Sequence, residues 1–259
     1  MARPTDNSPL TASILQPGRH GMSVDGARIY RFGETGIVLE LDKTLPKGQQ
    51  RSQAAITSLG SMLRRTLCGE ASRGDIQCAT AAVHDIVPAD GNLTVFFDPD
   101  KLHVAALCKQ VATAWCSIDS ENAVIHGRRH RLAVQYGGEF GPDLASLAGE
   151  LSLGTDELVA RHLQGCYTVC FIGFQPGFAY LEGLHTSLHA PRRISPRRRV
   201  APNSLAIGGP YTAIYPFASP GGWHIIGRYL PGQNPLFDPN RPQSALLQPG
   251  DTVCFEHIC

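Results

Sequence analysis

Between Arg28 and Cys116 the apolar positions switch between a strand-like and a helix-like period. Gly36 to Leu41 (GIVLEL) is a short aliphatic run and predicts a strand. Ile56, Leu59, Leu63 and Leu67 then recur at spacings of three and four, which marks one face of a helix. Ala81 to Val87 and Leu93 to Phe97 predict two more strands, separated by a turn at Ala89-Asp90-Gly91-Asn92. Asp98-Pro99 predicts the start of a helix, since Asp can cap and Pro is tolerated in the first turn. Val104, Leu107, Val111 and Trp115 supply that helix with an apolar stripe. The order β-β-α-β-β-α predicts a small α+β sandwich, its helices covering one face of a mainly antiparallel sheet. No phosphate loop or catalytic triad is visible in it, so its simplest reading is a folding and docking module.

After a junction around Ser120 to Arg131, His130 to Tyr136 predicts a strand and Gly137-Gly138 a turn. Two helical stretches follow, Pro142 to Leu151 and Asp156 to Leu163. Thr155 is the expected cap of the second, with Asp156 and Glu157 near its positive end. From Gly173 to Gly250 the chain holds ten Gly and twelve Pro, too many for long helices. Short β-like runs remain at Tyr167–Ile172, Leu205–Ile207, Thr212–Tyr215, Trp223–Ile226 and Thr252–Phe255, each bracketed by turn residues. That texture predicts a β-barrel or tightly wound sheet with long loops. The expected domains are a flexible extension over residues 1–21, an α+β domain over 22–125 and a barrel over 126–259.

At 259 residues there is room for two modest domains, and 42% hydrophobic against 17% charged residues fits an ordinary core. A net charge of +1 disfavours a generic nucleic-acid binder. No apolar run approaches the roughly 18 residues that span a bilayer, and the N-terminus has no secretory apolar segment. Eight cysteines form no C-x-x-C pair and are not grouped with histidines at zinc spacing, so no metal is expected. The spacing of Cys166 and Cys170 puts both on one face of a strand, where buried free thiols are preferred to a metal pair. All eight read as free thiols of a cytoplasmic protein.

Several residues stand out as candidates. The Gly173–Leu181 loop carries Phe174, Phe178 and Tyr180, more aromatic than a surface turn needs; its alternative is a tight turn over the barrel. Arg192, Arg193, Arg197, Arg198 and Arg199 fall within eight residues. Prolines stiffen the backbone before Arg192 and Arg197, which favours an anion-binding role for Arg192, Arg193 and Arg197; Arg198 and Arg199 read as solvated. His224 is a candidate acid–base group, with a surface or hydrogen-bonded core histidine as the alternative. Arg228 ends the same run and is a further binding candidate. Trp223 reads as core or subunit interface, Asp251 as a turn residue before the last strand, and His162 as a helix-surface residue.

Four segments carry a family resemblance: Gly173-Phe174-Gln175-Pro176-Gly177-Phe178-Ala179-Tyr180-Leu181; Pro191-Arg192-Arg193-Ile194-Ser195-Pro196-Arg197; Ile214-Tyr215-Pro216 through Ser219-Pro220-Gly221-Gly222-Trp223 to Gly227-Arg228; and Leu236-Phe237-Asp238 through Pro249-Gly250-Asp251. Tyr136-Gly137-Gly138-Glu139, Gly141-Pro142-Asp143-Leu144 and Asp85-Ile86-Val87-Pro88 extend it over roughly 28–258. In joint order these resemble the B-type subunits of bacterial 5-oxoprolinase, a family also called allophanate hydrolase subunit 1 or histidine-kinase inhibitor. The resemblance implies an α+β N-terminal domain followed by a cyclophilin-like β-barrel. It implies work beside a C-type subunit with a related barrel and an A-type subunit, the set opening 5-oxoproline to glutamate with ATP. A planar guanidinium suits the carboxylate of that substrate or a phosphate oxygen. ATP and Mg²⁺ are expected at the level of the complex, with none tightly bound to this chain, which has no G-x-x-x-x-G-K-[ST] loop. The rival implications are inhibition of a histidine kinase and a carboxyltransferase component acting on urea or a similar amide. Ala201-Pro202-Asn203 and Tyr229-Leu230-Pro231-Gly232 depart from the family pattern, which bears on the substrate more than on the fold.

Overall fold

A computed structural model of the chain describes residues 21–45, 52–68, 82–118, 127–232 and 234–258. The extension expected over 1–21 lies outside them apart from residue 21, as does most of the expected junction. The chain divides into two units, Met1–Ile125 and His126–Cys259. Among the described residues no helix is long and apolar enough to cross a membrane.

The first unit runs β1 (Met22–Val24), β2 (Ala27–Phe32), β3 (Gly36–Leu41), α1 (Gln53–Cys68), β4 (Val83–Ala89), β5 (Asn92–Phe97) and α2 (Val104–Cys116). Its strands form one antiparallel sheet in the order β1-β2-β3-β5-β4. Ile29, Leu39, Leu93 and Val95 from the sheet share one core with Ile56, Leu59 and Leu63 of α1 and Leu107, Val111 and Trp115 of α2. The helical stripes read from the sequence are therefore the buried faces. The short β1 adds a strand to the expected order. The helix expected at Asp98-Pro99 begins later, at Val104. Asp98 instead closes a separate turn: its Oδ1 accepts from Asp100 N at 3.0 Å and its carbonyl from Leu102 N at 3.0 Å. His103 is then extended, with φ −74° and ψ 123°, which breaks the helical path.

The second unit holds β6 (Arg129–Tyr136), α3 (Leu144–Glu150), α4 (Thr155–Gln164), β7 (Cys166–Ile172), β8 (Ala179–Glu182), β9 (Arg197–Val200), β10 (Ser204–Gly208), β11 (Tyr211–Ile214), β12 (Ser219–Gly221), β13 (His224–Tyr229) and β14 (Thr252–His257). Seven strands close a barrel in the order β10-β11-β8-β7-β14-β6-β13, with β13 pairing back to β10. Among the described strands of this barrel only β14 and β6 run parallel. Its core takes Leu132, Val134, Tyr167, Leu205, Ile226 and Val253 from the strands, and Leu147 and Leu158 from α3 and α4. A ribbon of β9 and β12 stands apart from this ring.

Three local expectations change. Gly154 occupies the cap of α4, and Thr155 lies inside the helix. A register shift between Val169 and Phe171 breaks the two-residue alternation of β7, so Cys170 is buried while Cys166 is exposed. The arginine run, outside the strands expected from the sequence, is partly strand because β9 finds a partner in β12: Gly221 faces Arg197 and Ser219 faces Val200.

Candidate functional site

The turn after β6 begins with Gly137 and Gly138, both at positive φ (+70° and +54°). It then passes so close to β13 that a Cβ on Gly141 would stand 2.2 Å from the Ile226 carbonyl oxygen. That approach delivers Asp143 to the strand, where its amide donates to Ile225 O at 3.0 Å and its Oδ2 accepts from Ile225 N at 2.7 Å. Arg193 Nη1 donates to Oδ1 at 2.8 Å. Arg197 grips both oxygens, Nη1 to Oδ2 at 2.7 Å and Nη2 to Oδ1 at 2.6 Å. A planar guanidinium matches a carboxylate in this two-pronged way. Burial would raise the Asp143 pKa, but the Arg197 and Ile225 hydrogen bonds and the two guanidinium charges outweigh it and hold the carboxyl below its ordinary value. The carboxylate is thus a fixed anion shared by two cations.

Beside this cluster lies a cavity of about 160 Å³, lined among others by Glu139, Phe140, Arg197, Arg199, Ser204 and Arg228. Arg228 sits over the Phe140 ring at 5.5 Å, an arrangement that orients its charge. Among the described residues neither Arg199 nor Arg228 is ion-paired. Of the binding residues expected from the sequence, the cavity gathers Arg197 and Arg228. It adds Arg199, which is exposed, in keeping with its solvated reading from the sequence, and which also lines the mouth of the cavity. Arg193 is held by Asp143, and Arg192 is exposed, 6.0 Å over the Trp223 ring.

The aromatic candidates form a separate group. Phe178, 1% exposed, meets Tyr215 at 5.1 Å, Trp223 at 5.6 Å and Tyr180 at 5.0 Å between ring centres. Phe174 is 61% exposed, at φ +69°, edge-on to Phe178 at 5.3 Å. Phe178 and Trp223 are core residues of this cluster, which also holds Val200, Ala206 and Ile225. None of the three loop aromatics lines the arginine cavity.

His224 is buried, and its Nε2 lies 3.0 Å from the Pro191 carbonyl oxygen, which can only accept, so Nε2 carries a proton. It does not line the cavity, and its Nδ1 has no hydrogen-bond partner among the described residues. His162, expected on a helix surface, is wholly buried. It follows Leu158 by four residues on one face of α4, so the helical period puts both inward. The Thr212 hydroxyl donates to Ala206 O at 3.0 Å and so accepts from His162 Nε2, also at 3.0 Å. His162 Nδ1 is then free to accept from the Tyr136 hydroxyl at 2.8 Å. Burial pushes the His162 pKa down to about 3, which keeps the ring neutral. Tyr136 itself lines a second groove of about 590 Å³, bounded also by Gly137, Pro142, Thr155, Asp156 and His257. Asp251 caps the turn before β14, accepting from Arg128 N at 2.7 Å, Gln248 N at 2.9 Å and His130 Nε2 at 2.8 Å.

Residues 27–247 match the family described as "Carboxyltransferase domain, subdomain C and D". A 5-oxoprolinase B subunit of Escherichia coli O157:H7 is 38% identical over 238 residues, 90% of this chain and 99% of that protein. The chain belongs to the family of 5-oxoprolinase B subunits. Further B-subunit relatives come from Haemophilus influenzae, 42% identical over 66% of this chain and 78% of its own length, and from Bacillus subtilis, 34% identical over 67% and 75%. Among solved structures, TTHA0988 superimposes with a TM-score of 0.67 at 29% identity. The match covers 86% of this family member but only 40% of that longer chain. The Kluyveromyces lactis urea amidolyase shares the fold, with a TM-score of 0.67 at 16% identity over 95% of this chain and 16% of its own. Two of the segments that carry the B-subunit resemblance, Tyr136–Glu139 and Gly141–Leu144, build the turn that serves both cavities.

Asp143 is the element of the candidate site that sequence reasoning misses, since along the chain it is one letter of a motif. Its signal is an acidic residue straight after Gly-Pro and ahead of an apolar helix, but its partners lie 50, 54 and 82 residues away.

Proposed function

We propose that this chain serves as the B-type subunit of an ATP-dependent 5-oxoprolinase complex, and that its arginine cavity receives the carboxylate of 5-oxoproline. The reading rests on one observation. Arg197, Arg199 and Arg228 line a small cavity in which Glu139 is the only lining carboxylate among the described residues, and the anion that holds Arg197 is shared with Arg193. The surplus of guanidinium charge suits a small anion. An engineered cavity of about 150 Å³ takes a benzene ring, so a five-membered lactam with one carboxylate is of the right scale. Held there by charge-assisted hydrogen bonds, the substrate would present its ring outward.

Ring opening adds water across the lactam C–N bond and yields glutamate. A lactam is a stabilised amide, and phosphorylating its oxygen makes the carbon electrophilic; ATP supplies that chemistry in the reading proposed. Among the described residues, the linings of the two cavities do not fit a nucleoside triphosphate. The arginine cavity is too small for it, and the 590 Å³ groove has no Lys or Arg in its lining to hold phosphates. No phosphoryl step is therefore assigned to this chain, and A-type and C-type partners would complete the site.

The test is reconstitution with those two partners and measurement of glutamate formed from 5-oxoproline and ATP. Losing a charge-assisted hydrogen bond costs about 1.5–3 kcal/mol, or roughly 10- to 150-fold in rate. Arg199→Ala and Arg228→Ala should each show such a loss while melting like the parent. Parental kinetics in both variants would remove the cavity from the reaction, and no ATP-dependent glutamate from the full set would end the reading. The family description supports a second reading, a carboxyltransferase component acting on urea or a similar amide. A bicarbonate-dependent product from urea with a biotin-dependent partner would select it.

A further inference from the structure

On the outer side of the barrel Cys166 of β7 and Cys254 of β14 are direct cross-strand partners. Their neighbours in the same register, Tyr167 and Val253, are wholly buried, which turns the two sulfurs the other way. Both thiols are free and their sulfurs lie 3.0 Å apart, with Cys166 exposed and Cys254 half-buried. Directly opposed residues of an antiparallel pair have Cα atoms about 4.5–5.5 Å apart. A disulfide needs about 4.4–6.8 Å, so the bond can form without moving the backbone. Arg129 reaches the pair from β6, on the other side of β14, its Nη2 lying 3.5 Å from Cys254 Sγ and 3.7 Å from Cys166 Sγ. Arg131, opposite Cys254 in the parallel register, is engaged by Glu256 at 3.0 Å.

We propose that Cys166 and Cys254 form an oxidisable dithiol, a modification site that takes a hydroperoxide and closes to a disulfide fastening β14 to β7. Neither the arginine cavity nor the proposed reaction requires it. Burial acts to raise the Cys254 thiol, but hydrogen bonds with Cys166 and Arg129 and the charges of Arg129 and Arg131 outweigh it and lower its pKa. Cys166 is shifted the other way, chiefly by its hydrogen bond with Cys254, so it keeps the proton. With Arg129 Nη2 nearer Cys254 than Cys166 and Arg131 opposite Cys254 in the register, Cys254 is the attacking thiol. It displaces hydroxide from the peroxide O–O bond and becomes a sulfenic acid. The Cys166 sulfur then attacks that sulfur, the S–O bond breaks, and water leaves as the S–S bond forms. In all, two thiols and one hydrogen peroxide give one disulfide and two waters. By contrast, burial drives the Cys108 thiol up to about 11, and it has no such chemistry.

The experiment treats the full-length chain with hydrogen peroxide and maps its peptides without reduction. The expected result is a Cys166–Cys254 cross-link with a mass loss of about 2 Da, reversed by dithiothreitol. Both peptides staying fully alkylatable would overturn the proposal, as would either cysteine paired instead with Cys259 or another thiol. In Cys166→Ser the sulfenic acid has no resolving partner, so Cys254 should advance to the sulfinic acid, about 32 Da heavier. Cys254 unmodified in that variant would overturn its role as the attacking thiol. Arg129→Gln should slow cross-linking by about threefold or more at neutral pH, and an unchanged rate would remove the guanidinium from the site. Because the cross-link joins residues 88 apart, it restricts the unfolded chain, and the oxidised protein should melt higher than the reduced one. An equal melting temperature would overturn the fastening.

Discussion

Replacing Asp143 by Asn tests whether the buried carboxylate holds the site together. The substitution keeps shape and one acceptor but puts an NH₂ group against guanidinium donors that need an oxygen. Removing one member of a buried ion pair costs about 3–5 kcal/mol. Here the Arg193 and Arg197 side chains keep 32% and 26% of their surface in water, which screens the orphaned charges. That moves the expected loss to the low end, about 3 kcal/mol, part of it from the buried Ile225 N–H if it goes unpaired. At about 2–4 °C per kcal/mol for a chain of this size, melting should fall by about 6–12 °C. The pH dependence has a definite sign. The folded carboxyl lies below its ordinary value of 3.8, so the stabilisation is complete above that value and is lost as pH falls through the lower, folded one. The gap between parent and Asp143→Asn should therefore be widest at neutral pH and close under strong acid. Scanning calorimetry across that range decides the matter. A variant melting within about 2 °C of the parent at pH 7, or a gap that widens in acid, would refute the argument.

His162 should leave a separate signature between about pH 6.5 and 3. Its folded pKa is depressed to about 3, so acid must force a proton onto a buried ring, and stability should fall by up to about 1.4 kcal/mol per pH unit across that window. His162→Gln, less stable at neutral pH, should show a flatter profile in denaturant titrations. Gly141→Ala places a Cβ 2.2 Å from Ile226 O, a clash with backbone that cannot turn aside. It should cost about 2 kcal/mol or more and pull Asp143 away from β13, read as a lower melting temperature together with loss of complex activity.

The local elements of this protein are legible in its sequence because each is set by short-range pattern. The α1 stripe at Ile56, Leu59 and Leu63 follows from its period and the strand at Gly36–Leu41 from its short aliphatic run, and the structure places both there. The density of Gly and Pro after Gly165 excludes long helices, and the closed barrel is consistent with that. Pairing is not legible. Strand β9 is a run of arginines, and it is the partner strand β12 that makes it a strand, with Arg197 and Arg199 lining one cavity. The shift in β7 that separates Cys170 from Cys166 is a property of its ladder with β8, invisible in the spacing of the two cysteines. Asp143 owes its role to partners from three distant segments, and its buried charge is tolerable only because all of them arrive together. Sequence periodicity marks the buried face of the helices α1 and α2. Long-range pairing decides what that face meets, and with it which charges are spent on each other and which remain for a ligand.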